Sequence, residues 1–186
     1  GVFLRTTEGG ATWVEKTTDF LPWLTKVVFL DDKRGFLTAR PTAMFPSAVF
    51  RTEDSGKHWT PMPGVTTGGN DICFAPNGEG LLIERTGRVT RVTRQGLKSW
   101  TTSPLGSALP KRLHMASSQH GFVCGNQGRF AGTSDGGKTW IKPAQLPTEQ
   151  WLSEYDWLAI TGVNQHLWIG GAPGSHLLHS RDGGRT

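Results

Sequence analysis

Residues Thr133–Trp140 read TSDGGKTW, a short polar segment with paired glycines that closes on a tryptophan. The same frame recurs as TTEGGATW from Thr6, TEDSGKHW from Thr52, TRQGLKSW from Thr93 and SRDGGRT from Ser180, at offsets of 40 to 47 residues. A period of that length means one supersecondary unit used repeatedly, each copy burying its apolar faces against its neighbours. Asp at the third position (Asp54, Asp135, Asp182) can accept hydrogen bonds from the backbone N–H groups of its own turn. Gly at the fifth (Gly10, Gly56, Gly137, Gly184) supplies the positive φ such a turn needs. Trp13, Trp59 and Trp140 can fold back under the turn and cover it with a large apolar face. The first copy carries Glu8 in place of Asp, and the copy at Thr93 carries Gln95 and Leu97, so that turn is expected to lack the usual hydrogen-bond set.

Around each box the chain alternates as short strands do. Lys111–Ala116 (KRLHMA), Gly121–Gly125 (GFVCG), Arg129–Thr133 and Lys138–Lys142 read as four strands joined by tight turns. The same order starts at Leu24 (LTKVVFL–DDKRG–FLTA), at Asn70 (NDICFA–PNGEG–LLIER) and at Asp156 (DWLAIT–GVNQ–HLWIG). Four short strands in 40 to 48 residues is the pattern of a propeller blade. The fold class expected is therefore all-β: four-stranded antiparallel blades with box hairpins between the third and fourth strands. One domain, 1–186, would hold about four blade periods (18–62, 63–103, 104–142 and 143–186), as a segment of a six- to eight-bladed ring.

Composition agrees. The chain is 35% hydrophobic with 25 Gly and 11 Pro, which suits many short strands and turns. No apolar run approaches the roughly 20 residues that cross a bilayer as a helix. A net charge of +5 is modest and lacks the dense Lys/Arg runs of a nucleic-acid arm. Cys73 and Cys124 fall in different strands of different repeats and read as two thiols, not a disulfide.

The longer segments CGNQGRFAGTSDGGKTW and IGGAPGSHLLHSRDGGRT narrow the reading. They resemble the Asp-box, or bacterial-neuraminidase, repeat as it occurs in the photosystem II stability/assembly factor family. That resemblance implies a seven-bladed propeller acting without catalysis or cofactor, as a scaffold for assembling a membrane reaction centre. It also implies a lumenal or periplasmic compartment, a protein partner such as a membrane-protein assembly intermediate, and docking through an arginine-rich surface.

In a four-stranded blade the first–second and third–fourth turns share one face of the ring, and the second–third loops share the other. Charges on the box face nearly cancel. The opposite face gathers Arg40, Arg85, Arg88, Lys111, Arg112 and Arg129, offset in part by Glu84 and Asp71. Arginine suits bidentate recognition of carboxylates on a partner. The loops Arg40–Ser47, with Met44 and Phe45, and Gln145–Trp157, with Trp151 and Tyr155, lie on the same side. Long loops on a rigid scaffold commonly bind. Trp151 is the aromatic expected to be exposed, and Trp157, which opens a strand, is expected in the core. The candidate partner-binding set is Arg40, Arg85, Arg88, Arg112, Arg129 and Trp151.

Asp-box propellers include sialidases and xyloglucanases, so a carbohydrate-active or glycan-binding protein is the alternative. A glycosidase needs two carboxyl groups roughly 5 to 10 Å apart. Glu154, Asp156 and Asp71 are the candidates, on proximity alone. The single Tyr, Tyr155, stands beside Glu154 instead of receiving a Glu from another blade. No phosphate loop, nucleophile elbow or zinc-protease motif occurs. His114, His120, His166, His176 and His179 are scattered, and three-residue spacing on a strand sends His176 and His179 to opposite faces.

Overall fold

The structure is a computed structural model that describes residues 2–17, 22–93, 96–99, 103–143 and 150–185. Within them the strands form five antiparallel sheets, each running in chain order. Sheet 1 is β1 (Val2–Arg5) and β2 (Val14–Thr17). Sheet 2 is β3 (Trp23–Phe29), β4 (Gly35–Arg40), β5 (Val49–Thr52) and β6 (Thr60–Met62). Sheet 3 is β7 (Gly69–Phe74), β8 (Gly80–Glu84), β9 (Val89–Thr93) and β10 (Gly96–Ser99). Sheet 4 is β11 (Pro110–Met115), β12 (Gly121–Gly125) and β13 (Phe130–Thr133). Sheet 5 is β14 (Asp156–Val163), β15 (His166–Ala172) and β16 (His176–Ser180). The first strands of sheets 2 to 5 touch in succession, β3 on β7, β7 on β11 and β11 on β14, so they line the inner edge of the stack. This is the all-β blade architecture that the repeat predicts.

The cores lie between sheets. Phe36, Val49 and Met62 meet Ile72, Leu82 and Val92 between sheets 2 and 3. Leu81, Ile83 and Val89 meet Leu113, Met115 and Val123 between sheets 3 and 4. Cys124 and Phe130 meet Trp157, Leu167 and Ile169 between sheets 4 and 5. The run LLIE in β8 is buried throughout because its side chains alternate between two neighbours, Leu82 backward and Leu81 with Ile83 forward. A strand covered on both faces reads as a continuous apolar run, not an alternating one. Each such aliphatic burial contributes about 1.5–3 kcal/mol. Trp157 is wholly buried, as its position at a strand start suggests.

Three details depart from the sequence reading. Lys138–Lys142 is no full strand: only Ile141 bridges back, to Gly132. Pro143 follows at once and has no N–H to extend the ladder. The connection before β14 contains a 3₁₀ turn, Gln150–Glu154. The third copy is not a box in register. Val92 pairs with Gly80, the place that Thr52 holds opposite Gly35 and Thr133 opposite Gly121. Thr93 then pairs with Gly96, which closes the hairpin before an eight-residue box turn can form.

The inner strands share a bulge. Register slips once in each, passing over Thr25, Asn70, Lys111 and Leu158, and leaves Lys26, Asp71, Arg112 and Ala159 in matching positions on consecutive sheets. A bulge re-aims the side chains beside it. The consequence is ionic: Lys26 of sheet 2 pairs with Asp71 of sheet 3.

Candidate functional site

The box turns form as their chemistry requires. Thr52 Oγ1 donates to Asp54 Oδ1 (2.8 Å) and accepts from Gly56 N (2.9 Å), while His58 N donates to Asp54 Oδ1 (2.9 Å). Thr133, Asp135 and Gly137 repeat that set, with Lys138 N and Thr139 N both at 2.9 Å from Asp135 Oδ1. Ser180, Asp182, Gly184 and Arg185 repeat it again. In the first box Glu8 is a methylene too long for the turn N–H groups, and it accepts from the Thr12 hydroxyl (2.8 Å). Trp140 folds back and donates from Nε1 to Gly137 O (3.1 Å), and Trp59 lies against Gly56. Trp13 reaches Gly10 but stays 58% exposed.

These hydrogen bonds make the boxes acid-sensitive. Burial pushes the Asp135 carboxyl up, but donation from the Thr139 hydroxyl and N–H, Thr133 and Lys138 outweighs it and holds the group at about 2, against 3.8 for a free carboxyl. Asp54 is also lowered, chiefly by the His58 N–H. A lowered folded-state pKa stabilises above the unfolded value, and the contribution disappears as pH falls through the folded value. Chemical denaturation at stepped pH should therefore show stability falling from about pH 4 to about pH 2. Asp135→Asn should be less stable at pH 7 and show a shallower acid decline; equal slopes in the two proteins would refute the assignment.

In sheets 2, 4 and 5 the box sits beside the first–second turn of its own sheet. Ser55 N donates to Lys33 O (2.9 Å), Gly136 N to Gln119 O (2.9 Å) and Gly183 N to Gln165 O (2.7 Å). The second–third loops lie at the other strand ends, against the entry to each inner strand: Arg85 N donates to Gly68 O (2.9 Å) and Asn126 N to Leu109 O (3.1 Å). That division separates the boxes from the candidate arginines.

Arg40 ends β4 opposite Trp23 and stacks over the Trp23 ring, 4.8 Å from its centroid. The Arg85 stem crosses Gly68 beside Pro41, so the loops of sheets 2 and 3 bring Arg40 and Arg85 into one neighbourhood. Arg88 begins the return to β9, where its carbonyl accepts from Glu84 N (2.9 Å). Arg129 closes the next loop, donating from its N–H to Asn126 O (3.2 Å). Arg112 stands apart on inner strand β11, at the bulge position, with Nη1 on Lys111 O (2.9 Å). All five are exposed. The Trp151 backbone belongs to the 3₁₀ turn, and its side chain lies outside the described residues.

Pairing differs among the arginines, and among the described residues Arg181 and Arg185 in the last box have no ion pair. On the box side Arg34 pairs with Asp31 (2.6 Å), Arg51 with Glu53 (3.8 Å) and Arg91 with Glu79. Among the described residues no ion pair engages Arg40, Arg85, Arg112 or Arg129. Glu84, which the sequence sets against these arginines as a partial offset, is buried and accepts from the hydroxyls of Thr67 (2.8 Å) and Thr90 (2.6 Å).

The three carboxylates of the alternative reading are not gathered. Asp71 is 1% exposed, and its oxygens take Lys26 Nζ, Ile72 N (3.0 Å) and Leu113 N (2.8 Å). Asp156 accepts from Gln127 N (3.2 Å) at the entry to β14, and Glu154 is exposed just before it; β11 lies between them and Asp71. Among the described residues no cluster of three or more metal-ligating acids, His or Cys occurs. Both cysteines are free, and burial pushes the Cys124 thiol up to about 12. The sequence hid two aromatic groupings that strand register creates. One is the Trp23–Arg40 stack. The other is a ladder in which Trp168 lies parallel to His179 and His166 Nδ1 is 2.9 Å from His179 Nε2.

Box hairpins, meandering sheets and inner strands in succession define an Asp-box β-propeller. The family described as photosynthesis system II assembly factor YCF48 matches residues 96–186, just under half of the chain. A structure of YCF48 bound to a D1 peptide aligns with 99% of the chain at 20% identity and a TM-score of 0.71, and the chain spans 58% of its length. A catalytically inactive virginiamycin B lyase from Staphylococcus aureus aligns over 92% of the chain and 60% of its own (16% identity, TM-score 0.66). A GH74 xyloglucanase from Xanthomonas campestris aligns over 87% of the chain and 31% of its own (15% identity, TM-score 0.64). No curated protein matches in sequence. A fold shared by a peptide binder, a lyase and a hydrolase leaves role to the site.

Proposed function

We propose that the protein is a non-catalytic binding scaffold of the photosystem II assembly type, holding a partner polypeptide on the face opposite its boxes. The observation that carries this is a set of four exposed arginines on that side, Arg40, Arg85, Arg112 and Arg129, which no carboxylate pairs among the described residues. A partner carboxylate supplies what these guanidinium groups lack, and planar bidentate pairing makes arginine the suitable donor. Trp23 under Arg40 offers a flat apolar surface beside the charge, a combination typical of binding hot spots.

The YCF48 structure with its D1 peptide supports a polypeptide ligand, and that peptide is the first probe. Arg85→Glu with Arg129→Glu should weaken D1-peptide binding at least about tenfold, and added salt should weaken wild-type binding, because opposed charges now face the ligand. Arg34→Glu on the box side should leave affinity unchanged. Equal binding by wild type and the double variant, measured by fluorescence anisotropy, would overturn the proposal.

A further inference from the structure

Sheet 5 carries a group of rings that the arginine-bearing side does not use. Alternation along β15 sends Leu167 and Ile169 into the seam with sheet 4, and His166 and Trp168 to the other side. Pairing of Trp168 with His179 then brings a second imidazole from β16 to that side, diagonal to His166. Both histidines are exposed, and His166 Nδ1 lies 2.9 Å from His179 Nε2. Their ring centroids are 5.2 Å apart and their planes 15° from parallel. With the nitrogens so close, that separation sets the imidazoles side by side in nearly one plane, nitrogen facing nitrogen. The indole of Trp168 is almost parallel to both, 4° from His179 and 17° from His166, with centroids at 4.8 and 5.6 Å.

A neutral imidazole has one N–H and one lone pair, and its tautomer decides which nitrogen holds which. When one of the facing nitrogens carries the proton, the pair is a hydrogen bond. When both protons sit on the outer nitrogens, two lone pairs face the same small space. A metal ion favours that second arrangement, because ligation uses the neutral ring and its lone pair. The spacing also selects among ions. Adjacent corners of a square of ligands about 2.0 Å from a central ion lie about 2.8 Å apart, whereas tetrahedral neighbours lie about 3.3 Å apart. At 2.9 Å the pair fits the square-planar or tetragonal preference of Cu(II) and Ni(II), ions that imidazole suits. Trp168 keeps both rings near one plane, and a swing within that plane aims both lone pairs at a shared point.

We propose that His166 and His179 form a two-imidazole site for a divalent transition-metal ion of the Cu(II) or Ni(II) type, with Trp168 as its floor. Two protein ligands leave the remaining positions to water, so the ion binds reversibly and keeps room for a further ligand. The site stands on strand register within sheet 5 and does not depend on the arginines.

The probe is Cu(II) itself, titrated into the protein near neutral pH and followed by calorimetry and tryptophan fluorescence. Wild type should bind one ion with a Kd on the order of 1–10 µM. His166→Ala and His179→Ala should each weaken binding at least about tenfold, and because both side chains are exposed the fold should survive either change. His176→Ala alters the opposite face of β16 and should leave affinity unchanged. A paramagnetic ion against an indole quenches its emission, so Trp168→Phe should remove most of the quench that Cu(II) produces. No binding to wild type at about 100 µM free Cu(II) would show a pair that shares a proton only, and would overturn the proposal. Wild-type affinity in either the His166→Ala or the His179→Ala protein, or a quench undiminished by Trp168→Phe, would overturn it equally.

Discussion

Asp71→Ala should lower Tm by roughly 6–12 °C, about 3 kcal/mol, more than any other single removal of a polar group. The carboxylate is 1% exposed and ties three consecutive sheets together: Lys26 Nζ from sheet 2, its own strand through Ile72 N, and Leu113 N from sheet 4. Its loss leaves an ammonium facing a void and a buried N–H without an acceptor. Both are costs of uncompensated desolvation, larger than the pair's own net attraction. Lys26 is 35% exposed and can recover some water, which places the expected cost at the lower end of the buried-pair range. Asp71→Asn retains one acceptor and should lose about half as much. Differential scanning calorimetry decides: an alanine variant melting within about 2 °C of wild type would show that the carboxylate does not hold the stack together.

Gly137→Val should destabilise by about 2–5 kcal/mol through two separable effects. Its φ of +90° is a backbone region that L side chains rarely adopt, and a β-branched residue is least tolerant of it. The added Cβ would also sit 2.9 Å from Leu81 Cδ1 and 3.0 Å from Cδ2, pressing sheet 4 off sheet 3. Gly183→Ala separates the two, since Gly183 has φ +70° with nothing within 4 Å and so reports strain alone. Urea unfolding should place that control about 1 kcal/mol below wild type and Gly137→Val well beyond it. Equal losses in the two variants would remove the inter-sheet contact from the account.

Much of this architecture could be read from one octapeptide. TSDGGKTW announces its own hydrogen-bond set, and the same set appears wherever Thr or Ser, Asp and Gly hold their places. Local chemistry of that kind is legible because donor and acceptor lie within five residues. The limits appear where partners are distant. Nothing near Asp71 in sequence names Lys26 or Leu113, so a buried tie between sheets looked like a possible acid. Glu84 likewise read as a surface counter-charge, because its threonine donors come from a neighbouring loop and strand. Counting strands puts the arginines at one end of their sheets but does not name their neighbours. That count could not show Arg40 lying on Trp23, although hairpin register between the two strands would have suggested it. The third box shows the opposite failure. Matching Thr93 to Thr52 and Thr133 by spacing hid a one-residue offset, and pairing of Val92 with Gly80 alone exposes it.

Because each sheet leans only on the one before and the one after, a fault in one of them stays local. The hairpin that lacks the box residues affects a single seam, and the inter-sheet contacts at Gly137 and Gly184 remain intact beyond it. A stack built this way can let one unit drift in sequence while the others preserve the frame, so novelty is least disruptive where a motif has already decayed.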